Sequence, residues 1–102
     1  MSKQEIKARV REAIENASFK EDIQKVSLFG SHLHGDAKED SDVDVLVEFT
    51  PESHVGLFKY VEIQNTIEDH IQKKVDLLTP EGLSKFFRDD IISEAELIYE
   101  RQ

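Results

Sequence analysis

The 102-residue chain has no cysteine. That excludes a disulfide framework and any thiolate zinc site. No apolar run approaches the roughly 20 residues that a membrane-crossing helix needs, so no membrane association is expected. The first residues are charged from Lys3 onward and show no apolar export signal. A cytoplasmic location is therefore the expectation. Positive charge is scarce: 13 Lys and Arg stand against 22 Asp and Glu, for a net charge of −9. The deficit is even, with 7 basic and 11 acidic residues in 1–50 and 6 and 11 in 51–102. Without a basic stripe, direct binding along duplex nucleic acid is not expected. A nucleoside triphosphate is not excluded, because its metal ion brings positive charge, and an acidic surface suits a basic protein partner. Repeats, low-complexity tracts and linkers are also missing. The length fits a single domain over 1–102 with one core.

What is present reads as short alternating elements. Ser2 and Glu5 have the spacing of a capping box. Ile6, Val10, Ile14 and Ala17 follow at the repeat of an amphipathic helix. Val26 to Phe29 reads as a buried strand closed by Gly30, and Ser31 as the start of a short helix ending near Gly35. Asp36 to Ser41 is a charged loop. Val-rich Asp42 to Phe49 reads as a strand buried on much of both faces. A helix with Leu57, Tyr60, Val61, Gln64, Ile67 and Ile71 on one face comes next, then a third strand, Val75 to Leu78. Thr79-Pro80 is a helix-start signal. Leu83, Phe86 and Phe87 predict a short apolar helix face, and Ile91, Ile92, Ala95, Ile98 and Tyr99 a last one. The expected class is α+β: a small mixed sheet covered by helices, in the order α-β-α-β-α-β-α.

Two clusters carry chemistry. Leu28-Phe29-Gly30-Ser31 has the form of a strand turning sharply into a helix whose N-terminus takes an anion. Ten residues further on stand Asp42 and Asp44. At i and i+2 of a strand they point to one face. Two close carboxylates raise each other's pKa unless a cation lies between them, and a hard divalent ion such as Mg2+ resolves that conflict. Asp76 interrupts an apolar strand, where a carboxylate is costly unless something binds it. If that strand adjoins the Asp42–Asp44 strand, three carboxylates meet on one sheet face. A phosphate cradle beside such a group suggests metal-assisted phosphoryl or nucleotidyl transfer. Asp40 to Asp44 also begins like a calcium loop, but Val45 and Pro51 stand where that loop needs Gly and Glu.

Gly30-Ser31, ten residues and Asp42-Val43-Asp44 resemble the Gly-Ser-x10-Asp-x-Asp motif of the DNA polymerase beta-like nucleotidyltransferases. Lys74 to Leu78 resembles the strand that carries their third carboxylate. The likeness runs from about Val26 to Tyr99 and is nearest to the minimal members. It implies a nucleotidyltransferase-like fold. It also implies a triphosphate held by Gly30 and Ser31, and metal bound by Asp42, Asp44 and Asp76. Asp76 would help activate the attacking hydroxyl. Two Mg2+ ions (or Mn2+) would serve an in-line displacement on ATP. Many minimal members are antitoxins that transfer AMP to a tyrosine of a HEPN-domain ribonuclease toxin, and that is the activity and partner expected. Members often carry Arg just after Gly-Ser; here His32 and His34 stand there, open to phosphate contact, acceptor contact or solvent. Two other functions remain open. One is neutralisation of a partner by binding alone. The other is transfer to a small-molecule acceptor, as a subunit of a larger enzyme.

Overall fold

The computed structural model describes residues 1–35, 38 and 41–102, and for Ser31 the main chain only. Among these residues the order is α1 (Lys3–Glu15), β1 (Ile23–Phe29), α2 (Ser31–His34), β2 (Val43–Phe49), α3 (Leu57–Ile71), β3 (Val75–Leu78), α4 (Arg88–Glu94) and β4 (Glu96–Glu100). Short 3-10 turns lie at Ser18–Asp22 and Pro80–Gly82. The strands form one sheet in the order β3-β2-β1-β4. β2 runs parallel to β3, and β1 is antiparallel to both β2 and β4. The α+β class holds, with one strand more than the sequence predicts. No helix among the described residues is long and apolar enough to cross a membrane.

The strand pattern divides the sheet into two unequal faces, because successive side chains alternate. Val26 and Leu28 of β1, Val43, Val45 and Val47 of β2, and Val75 and Leu77 of β3 join the main core. Helix α1 brings Ile6, Val10 and Ile14 to it, and α3 brings Ile63, Ile67 and Ile71. The Ser2 side chain caps α1 by accepting from the Glu5 N–H at 3.1 Å. The opposite face is thinner: Phe29, Leu46 and Leu83, with Leu78, Ile91 and Ala95 packed against them. By the same alternation Asp44 and Asp76 lie on this thinner face, next to Leu46 and Leu78.

Three helical expectations are corrected. The face of α3 is set by Ile63, Ile67 and Ile71, four residues apart, while Leu57 and Val61 are exposed. The predicted helix face at Leu83, Phe86 and Phe87 does not form. Leu83 is buried after a 3-10 turn and both phenylalanines are exposed. The last predicted helix stops at Glu94, where Ala95 turns extended, and Ile98 and Tyr99 are in β4. β4 is an edge strand, held by more than its ladder. Arg11 Nε donates to the Ile98 carbonyl at 2.7 Å, and Lys3 and Lys7 both reach the Glu96 carboxylate.

Asp22 ties the start of β1 to the segment after β2. Its carboxylate accepts from Ser53 Oγ at 2.9 Å and Lys59 Nζ at 2.8 Å. These bonds hold its pKa below the usual carboxylate value, the Lys59 bond most and the Ser53 bond next. A lowered folded-state pKa stabilises the fold above the unfolded value, near 3.9, and the benefit is lost as pH falls through the folded value. We predict that Asp22→Asn costs about 0.5–1 kcal/mol at pH 7, a modest figure because the pair is partly solvated. Urea unfolding should show that gap shrinking below about pH 4. A gap unchanged by acid would contradict this role.

Candidate active site

The site is built where the C-terminal end of β1 meets the N-terminal ends of β2 and β3. Phe29 pairs with Asp44, and Asp44 pairs with Asp76 across the parallel ladder. Neighbouring strands are about 4.8 Å apart, so the two carboxylate-bearing residues are side by side. Asp42 immediately precedes β2 and is exposed. The ladder begins beside it, with the Val43 N–H donating to the Lys74 carbonyl at 2.8 Å.

Gly30 is the second structural requirement. Its φ is +79°, in the left-handed region. A Cβ built on it would stand 2.0 Å from Asp44 Oδ2 and 3.1 Å from Asp44 Cβ. The Asp44 carboxylate thus lies directly against the Gly30 backbone, which only glycine allows. After the turn, α2 is one turn long, with Leu33 and His34 N–H groups donating to the Gly30 carbonyl. The strand-turn-helix expected here is present. The Ser31 side chain, expected to contact phosphate, lies outside the described residues. So do residues 36, 37, 39 and 40 of the charged loop.

Electrostatics mark Asp44 as the centre. Its pKa is raised, first by burial, then by Asp76, then by Asp42, with His32 acting the other way. The mutual repulsion expected between the carboxylates is therefore present in the fold. His32 Nε2 lies 3.1 Å from the Ser41 carbonyl oxygen. Because a carbonyl only accepts, the imidazole is the donor. His34 Nε2 is 3.3 Å from a Glu94 carboxylate oxygen, joining α2 to α4. Tyr60, expected in the core, packs edge-on to Phe49 at 6.3 Å and donates its hydroxyl to the Leu77 carbonyl. Burial and then Asp76 raise its pKa, so a core tyrosine also borders the site, a role its place on the α3 repeat does not reveal.

Hard carboxylate oxygens around a carboxyl with raised pKa are the donor set that Mg2+ or Mn2+ prefers. The residues fit such an ion in kind. Among the described residues, however, no three His, Asp or Glu side chains are gathered closely enough to hold one as they stand.

The family model "Polymerase beta, Nucleotidyltransferase" matches residues 11–102. The chain belongs to this family. Among its relatives, the protein adenylyltransferase MntA of Thermococcus cleftensis is 35% identical over 72 residues, 71% of each chain. A solved structure provisionally named a minimal nucleotidyltransferase superposes with a TM-score of 0.74 at 30% identity, covering 93% of this chain and 94% of that one. The fold also recurs, at 16% identity and a TM-score of 0.65, in a complex of a tri-AMPylated Shewanella oneidensis HEPN toxin with an MNT antitoxin. That match covers 98% of this chain and 74% of the other. The nucleotidyltransferase fold and membership expected from the motif are thereby established.

Gly30 and Gly35 both have positive φ, but a Cβ at Gly35 meets nothing within 4 Å. Alanine at either site should cost about 1–2 kcal/mol of backbone strain. Only Gly30→Ala should also drive the Asp44 carboxylate away from the sheet. NMR titration of Asp44 tests this: its pKa should stay raised in Gly35→Ala and fall toward the ordinary value in Gly30→Ala. An unchanged Asp44 titration in Gly30→Ala would show that the contact does not position the carboxylate.

Proposed function

We propose that the chain is a protein adenylyltransferase antitoxin that moves AMP from ATP to a tyrosine of a HEPN-domain ribonuclease toxin. The observation that carries this reading is the Asp44–Asp76 pair, flanked by Asp42 and seated against the Gly30 turn. The MntA relative supplies the activity class. The MNT antitoxin of like fold, solved with its AMPylated HEPN toxin, supplies the kind of partner.

In this reading the turn at Gly30 and Ser31 cradles the triphosphate through backbone N–H groups. Asp42, Asp44 and Asp76 would hold two divalent ions, Mg2+ or Mn2+. When bound, these neutralise charge on the phosphates and on the attacking and leaving oxygens. The tyrosine oxygen attacks the α-phosphorus, the bond to the β-phosphate oxygen breaks, and pyrophosphate leaves. Asp76, on the exposed edge of the pair, takes the phenolic proton. Burial and the neighbouring Asp76 and Asp42 carboxylates raise the Asp44 pKa, and a bound cation would relieve that repulsion.

A second reading, neutralisation by binding alone, is motivated by the acidic surface and by His32 and His34 standing where Arg is often found. One experiment separates the two: co-expression with the protein encoded next to this chain, followed by intact-mass analysis of that neighbour. Addition of whole adenylyl groups is expected with the wild type. Asp42→Asn with Asp44→Asn should fold normally and lose transfer by about 10³-fold or more, the scale of several kcal/mol of metal stabilisation. Full modification by the double variant would overturn the site. An unmodified neighbour that still co-purifies and is neutralised would favour occlusion.

A further inference from the structure

His32 and His34 occupy the positions after Gly-Ser, and the reading of function assigns neither a role. Their contacts differ. His34 meets Glu94 in an exposed pair, half accessible on both sides, where an ion pair contributes little. His32 is partly buried and donates Nε2–H to the Ser41 carbonyl nine residues away. Ser41 is held a second time from the loop side. Its N–H donates to the Lys38 carbonyl at 3.0 Å, and its Oγ accepts from the Lys38 N–H at 2.8 Å. The Ser41 carbonyl and the Asp42 N–H belong to one planar peptide unit, so fixing that carbonyl fixes the plane from which Asp42 departs. On the other side the Val43 N–H donates to the carbonyl of Lys74, the residue just before β3. Asp42 thus sits between two pinned peptide units, although it lies outside the strand.

We propose that His32 is a positioning residue: its hydrogen bond to the Ser41 carbonyl fixes the peptide unit that precedes Asp42 and sets the direction of the Asp42 carboxylate toward Asp44. The imidazole Nε2–H is committed to the carbonyl and is not the phosphate contact that Arg at this place would make. The same placement keeps the ring close enough to Asp44 to oppose the rise in its pKa. The proposal concerns the geometry of the carboxylate group and deepens the metal-dependent reading above.

The test compares His32→Leu, which keeps bulk and loses the donor, with His32→Gln, which keeps a neutral donor. Hydrogen exchange by mass spectrometry on the chain alone, without metal or nucleotide, reads the segment spanning Ser41 to Val43. His32→Leu should speed its exchange by about tenfold, the loss expected for one net hydrogen bond, with α1 and α3 unaffected. His32→Gln should restore protection. Titration with Mn2+ alone should follow the same order, weakest in His32→Leu and recovered in His32→Gln. Wild-type exchange in His32→Leu would overturn the proposal. So would unaltered exchange with loss of ATP affinity in both variants, which would make His32 a phosphate ligand. The exchange readout requires no turnover. If it succeeds while AMP transfer is absent, the proposed function fails and the positioning role stands.

Discussion

The Asp44 carboxylate is the point on which the site depends. It is half-buried, it faces Asp76 across a parallel ladder, it is within the field of Asp42, and it presses on the backbone of Gly30. Each feature is unfavourable by itself. Burial penalises the charge, two like charges increase the penalty, and the glycine carries a conformation other residues resist. A cation with hard oxygen preference turns the first two into binding energy. The strain sits in the region where functional sites tend to keep it.

The rest of the fold makes that arrangement affordable. Nearly all the large aliphatic burial lies on one sheet face, between the strands and α1 and α3. Among the described residues, the cluster on the other face has three buried members, Phe29, Leu46 and Leu83. The thin face can therefore leave one end open, and the carboxylates are there. The parallel pairing of β2 and β3 matters in the same way. It puts Asp44 and Asp76 at matching positions, so the second carboxylate follows from register rather than from a loop.

The parts of the candidate site were legible because each is marked by a short local pattern. Gly30 closes a strand, Asp42 and Asp44 share one strand's parity, and Asp76 is an acid inside an apolar run. The edges of the fold were harder to read. Ile91, Ala95 and Ile98 keep helical spacing, yet the chain becomes extended at Ala95, because β1 has an open edge that β4 fills. The β-branched and aromatic pair Ile98-Tyr99 was the available signal. On α3 the choice between Leu57–Val61 and Ile63–Ile67–Ile71 as the inward face is a shift in helical phase, decided by packing on α1 and the sheet. The contact of Gly30 with Asp44 joins residues 14 apart through strand pairing, and no local pattern encodes it. The same holds for the contact of His32 with Ser41, nine residues on.

The central claim is that Asp44 makes nucleotide binding depend on a divalent ion. Calorimetric titration of the purified chain with ATP, with and without Mg2+, tests it most directly, using wild type and Asp44→Asn. The account predicts binding that requires Mg2+ in the wild type and is lost in Asp44→Asn at unchanged thermal stability. ATP binding of equal strength without the ion, or undiminished in Asp44→Asn, would contradict it.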